Sequence, residues 1–280
     1  MDIIRIIKLL GSLVFWIGCW LQGRFKLILK KNLPGTCIFL YYHAITVNQR
    51  SKFARQMDDL IRLAQPVHAD FNGPLKTNVH YVGVTFDDGF RCVIENALPE
   101  LIKRGIPATI FVPTEYLGRH PEWVNDLDYK ERNEIVMTSE QLLELPSRLI
   151  SIGSHSVTHR QIPYLTEEEA RKELNRSRKE LEFLLGREIK HFSFPYGSYD
   201  MKVVKLACEA GYERVFTNLP TLANLEKEEY VTGRVWGNPT DSCLEFRLKV
   251  QGAYRWLPYA FILKHKLRHL VGRDSNRNNR

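Results

Sequence analysis

The sequence predicts an α/β fold, a (β/α) barrel of about seven parallel strands, and three observations point to it. Short apolar runs alternate with amphipathic stretches between Cys37 and Val250, seven or so times in about 220 residues. No glycine-rich turn follows the first run, which argues against an open, doubly wound sheet. His43, Asp87, Asp88, His155 and Pro195 each stand just after an apolar run, where a barrel gathers its reactive groups.

Residues 1–35 differ in composition from the rest of the chain. Leu9 to Leu21 carries no charge and is flanked by Arg5 and Lys8 before it and by Arg24, Lys26, Lys30 and Lys31 after it. A spanning helix needs roughly 20 apolar residues, so this run is short, and no small-residue cleavage site follows it. Trp16, Trp20 and the flanking cations suit a helix lying in, or anchored to, one leaflet. A helix packing on the protein's own core is the alternative.

Residues 36–250 form the predicted barrel. The apolar runs Cys37–Tyr42, Tyr81–Phe86, Pro107–Val112, Leu149–Gly153, Lys190–Phe194, Arg214–Thr217 and Val231–Trp236 read as strands. Between them, Lys52–Ala64 is amphipathic, and Cys92–Arg104, Gln141–Leu145, Met201–Ala210 and Cys243–Val250 read as helices. Thr166 to Glu169 is a capping box opening a long helix that Gly186 ends. Residues 251–280 form an aromatic and basic tail, suited either to an anionic lipid surface or to a helix closing the barrel.

The 280 residues carry 40 basic and 32 acidic side chains, a net charge of +8 concentrated towards the ends. Zinc-finger spacing and helix-turn-helix signals are both absent, so the surplus is not read as a nucleic-acid module. Five scattered cysteines form neither a metal knuckle nor a disulfide framework, which favours a reducing, cytoplasmic setting at the membrane.

The chemistry centres on Thr85-Phe86-Asp87-Asp88-Gly89, an apolar strand ending in two adjacent carboxylates. Like charges at the mouth of a core strand call for a nearby cation. His155 and His159 stand four apart after another strand, a spacing that lets two imidazoles face one point as metal ligands. One carboxylate would complete a His/His/Asp set with room for water. The other is then free to take a proton, the equipment for metal-assisted hydrolysis of an ester or amide. A glycosidase is disfavoured, because adjacent aspartates cannot flank a bond with the roughly 5 Å or more that two catalytic carboxyls need.

These two motifs and Phe194-Pro195-Tyr196-Gly197 resemble, in the same order, three motifs of the polysaccharide deacetylase family (the NodB-homology carbohydrate esterases). The resemblance implies a distorted (β/α) barrel and a divalent metal, taken as zinc, used to remove acetyl groups from sugars. It further implies Asp87 as general base and Asp88, His155 and His159 as metal ligands. The backbone N–H of Tyr196 would serve the oxyanion, and Pro195 and Tyr196 would meet the substrate. Two departures stand out. The third motif has Ser193 nearby rather than the arginine that orients the catalytic aspartate in many members. Arg234, placed after the last strand, is the candidate replacement, with a surface salt bridge as the alternative. The late Leu-x-His motif is also absent, since His265 and His269 lie in the basic tail. Tyr41-Tyr42-His43 instead resembles an early Tyr-His motif of poly-N-acetylglucosamine deacetylase-like members, which nominates His43 as general acid. The expected partners are an N-acetylated polysaccharide or a lipid-linked sugar, and the membrane surface. A deacylase or deformylase of a polyprenyl-linked sugar is the enzymatic alternative, and a catalytically silent glycan-binding barrel is the reading from another class.

Overall fold

Helix α1 (Ile3–Ile28) leads into β1 (Thr36–Tyr42), α2 (Arg50–Leu63), β2 (Gln65–Val67) and β3 (His80–Phe86) in a computed structural model that describes residues 3–123, 130–224 and 229–261. Next come α3 (Leu98–Arg104), β4 (Ala108–Val112), α4 (Ser139–Leu143), β5 (Ile150–Ser154), α5 (Glu167–Leu185), β6 (His191–Ser193), α6 (Met201–Glu209), β7 (Arg214–Thr217), β8 (Val231–Trp236) and α7 (Cys243–Val250). All strand pairings are parallel, and the order β1-β8-β7-β6-β5-β4-β3 returns to β1, closing a seven-stranded barrel. The seven strands predicted from sequence are those of the ring. Helices cover the outside and side chains fill the inside, so the strands are buried on both faces and read as nearly unbroken apolar runs.

The interior is a packed core. Phe39 on β1, Phe111 on β4 and Phe216 on β7 belong to strands that do not pair, yet their rings lie 5.4 Å (Phe39–Phe216) and 5.3 Å (Phe111–Phe216) apart, so they meet across the lumen. Room for them comes from glycine. A Cβ on Gly83 would sit 2.2 Å from the Phe39 ring, and one on Gly153 2.5 Å from that of Phe111. Gly83→Ala is therefore expected to cost about 1–3 kcal/mol of stability by urea unfolding, with Phe39→Leu in the same chain recovering part of it. A Gly83→Ala protein as stable as its parent would contradict this packing.

The barrel is uneven. β1 pairs with β3 along its whole length, whereas β3's other edge is divided between β2 (at residues 81–83) and β4 (at 84–86). The ring thus closes tightly at the strand C-terminal ends, where the reactive residues stand, and splays below. The three-residue β2 contains Pro66 and leaves no sequence signal, because proline cannot donate to a ladder.

Cys92–Arg104 is not the single helix that its pattern predicts. A π-helical turn, Val93–Ala97, precedes α3. Pro99 has no N–H to close an ordinary helical bond, and the Asn96 side chain donates to the Ile45 carbonyl at 2.9 Å, which ties the widened turn to the β1 side. α5 begins at the Thr166–Glu169 capping box and ends at Gly186 in the left-handed conformation, as expected.

α1 is held along one stripe. Arg5 donates to Glu245 (2.7 Å) and Asp241 (2.9 Å), Trp256 Nε1 donates to Ser12 Oγ (2.9 Å), and Arg255 donates to Cys19 Sγ (3.2 Å). The opposite stripe, including Ile3, Ile7, Leu10, Val14, Ile17, Leu21 and Phe25, is exposed. α1 is long and apolar enough to cross a membrane, although it packs on the barrel and its following segment at the same time. Residues 262–280, with the basic tail and both His265 and His269, lie outside the described residues.

Candidate active site

The C-terminal tips of four strands supply the site, and the backbone there is bent into conformations that side chains resist. Among the described residues, seven non-glycines have positive φ. Four of them, Asp88 (68°), Ser156 (68°), His159 (57°) and Tyr196 (60°), belong to the three motifs. Each such conformation costs roughly 1–3 kcal/mol and survives only where its surroundings dictate it. After β3, Gly89 (φ 61°) lets the chain leave at once, with Val112 packed 3.0 Å from where a Cβ would sit.

Asp88, His155 and His159 converge, each buried, with one ligand-capable atom apiece within 4.8 Å of the others. His155 Nδ1 lies 2.7 Å from the Ser193 carbonyl, which can only accept, so Nδ1 carries the proton and Nε2 offers a lone pair. That Nε2 faces Asp88 Oδ1 at 3.5 Å, and His159 Nε2 faces the same oxygen at 3.1 Å. Asp88 Oδ1 nevertheless has no hydrogen-bond partner among the described residues, nor has His159 Nδ1. An orphaned, buried carboxylate oxygen opposite two imidazole nitrogens is costly unless positive charge sits between them. Two nitrogens and one oxygen with an open side are the donor set of a catalytic divalent metal, so the residues present fit such an ion. The electrostatics agree. Burial disfavours charge on both rings and lowers the His159 pKa. For His155 burial is outweighed by the carboxylates of Asp88 and Asp87, and its pKa rises.

The turn carrying the two histidines is fastened from behind. Glu173 on α5, itself buried, accepts from Val157 N (2.9 Å), Thr158 N (2.9 Å) and Thr158 Oγ1 (2.6 Å). Ser156 Oγ accepts from His159 N at 3.0 Å. Sequence reasoning missed Glu173, whose only signal is a carboxylate on the side of α5 that otherwise buries Ala170, Leu174, Ser177 and Leu181. Glu173→Gln is expected to lower metal affinity by roughly 10–100-fold, the range for groups that orient ligands, as read by competition with a chelator. Unchanged affinity would show that the turn holds itself.

Asp87 points to a different group. Arg234 lies within β8, not beyond it, and is fully buried, so the surface salt bridge does not apply. Its guanidinium clasps Asp87 end-on, Nη1 to Oδ1 at 2.7 Å and Nη2 to Oδ2 at 2.8 Å. It also donates to Thr85 Oγ1 (3.0 Å), Ser193 Oγ (2.8 Å) and Asn218 Oδ1 (3.1 Å), with Tyr41 4.9 Å beneath it. Burial alone would push the Asp87 carboxyl up; the neighbouring Arg234 charge more than offsets it and holds the carboxyl below the usual range.

His43 is half-buried at the end of β1, where the Tyr42 carbonyl accepts from Asp87 N at 2.8 Å, and it is near enough for its charge to act on Asp87 and Asp88. Pro195 is buried, while Tyr196 is 52% exposed with its ring 4.8 Å from that of His159. Trp123, unforeseen from sequence, stacks on His159 at 4.3 Å. The structure thus brings every sequence-nominated residue to one rim, in two groups. Asp88 stands with the histidines, and Asp87 with Arg234.

Comparison with known proteins bears on this rim. YxkH of Bacillus subtilis (strain 168), by name a candidate polysaccharide deacetylase, is 29% identical over 222 residues, 75% of each chain. The structure of IcaB from Ammonifex degensii matches with a TM-score of 0.65 at 24% identity, covering 80% of this chain and 100% of that one. The Streptococcus pyogenes deacetylase PplD, solved in complex with acetate, matches with a TM-score of 0.61 at 20% identity, covering 78% and 98%. At such identities the two structures speak for the barrel alone. The model of the polysaccharide deacetylase family matches residues 75–215, half of the chain and all three motifs, and the chain belongs to that family.

Proposed function

We propose that this protein is a divalent-metal-dependent hydrolase that removes N-acetyl groups from the amino sugars of a glycan. One observation carries the reading. Three buried acceptors, Asp88, His155 and His159, face one point with no hydrogen bond to Asp88 Oδ1, beside a second aspartate held ionised by a buried arginine. A silent glycan-binding barrel would have no reason to keep such an arrangement.

Asp88, His155 and His159 would hold the ion; their N/N/O donor set favours zinc. When bound, a divalent cation lowers the pKa of water and polarises an acyl carbonyl. Asp87 is the general base. Both of its oxygens accept from Arg234, and a carboxylate retains further lone pairs through which to take a proton from water. The N–H of Tyr196, in its strained turn, is the donor for the developing oxyanion. His43 delivers a proton to the departing sugar nitrogen, and the acyl group leaves as acetate. Pro195 and the exposed ring of Tyr196 form the sugar's platform.

The exposed stripe of α1 supports an in-plane position at the membrane surface. A helix fastened to the barrel along one side offers its opposite side to lipid. Five free thiols favour the cytoplasmic face. The test is metal analysis of the purified protein together with acetate release from an N-acetylated oligosaccharide. Stoichiometric divalent metal and metal-dependent acetate release are expected. A protein that binds the oligosaccharide but neither holds metal nor releases acetate would overturn the reading.

A further inference from the structure

A cavity of about 410 Å³ lies between the first turns of α1, the end of β8 and the segment after α7. Its floor is Arg234 and Tyr41, so it reaches the far side of the guanidinium that clasps Asp87. Its walls are mostly apolar, with Leu257 and Trp236 among them. At its lips Ile4 and Phe261 are 59% and 61% exposed, and Ile4 belongs to the apolar outer face of α1. The cavity thus adjoins the exposed apolar face of α1.

The charges inside do not cancel. Asp241 and Glu245 are matched by Arg5 (2.9 and 2.7 Å), and Lys249 lies 2.6 Å from Asp241. Lys8, which also lines the cavity, has no ion-pair partner among the described residues. A largely apolar chamber with a spare cation suits an amphiphile with a phosphate head. A free, hydrophilic glycan has no use for it.

We propose that this cavity receives the prenyl and phosphate end of a lipid-linked N-acetylated sugar, placing the sugar at the catalytic rim. The inference rests on the deacetylase reading and names its substrate class. The reaction is unchanged. The amide C–N bond breaks, water gives its oxygen to the acyl carbon and a proton to the nitrogen, and acetate departs.

The test uses the full chain in detergent. Farnesyl phosphate binding is measured by calorimetry, and acetate release is compared for one N-acetylated sugar carried on farnesyl diphosphate and for the same sugar as a soluble oligosaccharide. The farnesyl-linked sugar is expected to show at least about tenfold higher kcat/KM, and Leu257→Arg to abolish both farnesyl phosphate binding and that preference. Ile4→Glu, at an exposed lip where folding is not at stake, is expected to weaken both. Equal turnover of the two sugars, or variants that bind farnesyl phosphate like the parent, would overturn the proposal while leaving the deacetylase standing. Absence of acetate from either sugar would overturn the deacetylase and, with it, the substrate named here.

Discussion

Asp87→Asn is expected to keep the metal and lose turnover by about 10²–10⁴-fold, the usual contribution of a general base, whereas His155→Ala loses both. The difference follows from where the side chains point. Asp87 has both oxygens on Arg234 and none in the Asp88/His155/His159 cluster, so its amide leaves the three metal donors in place while removing the basic lone pair and the charge that faces Arg234. His155 is held by the Ser193 carbonyl with its other nitrogen aimed at Asp88, and deleting it removes one of three donors. Metal content by mass spectrometry and acetate release, measured on both variants, decide the matter. Equal metal loss in the two would overturn the division of labour between the aspartates.

Arg234→Met is expected to be the most destabilising single change. It leaves Asp87 ionised and buried with its partner gone, a situation that costs about 3–5 kcal/mol. It also strips donors from Thr85, Ser193 and Asn218. The double variant Asp87→Asn/Arg234→Met buries no charge there and is expected to regain much of that loss while staying inactive. The pH dependence has a definite sign. Asp87's folded pKa lies below its unfolded value of about 3.9, so the clasp's contribution is in force above that value. It is lost as pH falls through the folded pKa. Denaturant unfolding of the three variants near neutral pH tests the argument. An Arg234→Met protein within about 1 kcal/mol of its parent would mean that Asp87 is neutral or solvated.

Much of the fold and the site was legible in the residues alone. Seven apolar runs marked the ring, Thr166 and Gly186 bracketed α5, and every nominated residue reached the rim because strands expose their tips on one side of a barrel. What stayed hidden were interactions between distant parts of the chain. Arg234 is nominated in sequence as the aspartate's orienter only beside a surface salt bridge, and it is closure of the ring that brings it to Asp87, 147 residues away. Glu173 is one glutamate among several on α5 until the histidine turn is seen docked against it. The two readings of α1, on lipid or on the protein, looked exclusive in sequence. The docked stripe shows α1 packed on the protein, and the exposed stripe leaves a face on which the lipid reading rests as a proposal. β2 escaped because three residues with a proline show no periodicity.

The most direct test of the central claim is anomalous diffraction from crystals of the purified protein, collected on either side of the absorption edge of the metal found by elemental analysis. A single peak among Asp88, His155 and His159, absent in His155→Ala crystals and retained in Asp87→Asn, is the predicted result. Metal-dependent acetate release by a protein whose only peak lies elsewhere, or in which Asp88 has turned away from the histidines, would contradict it.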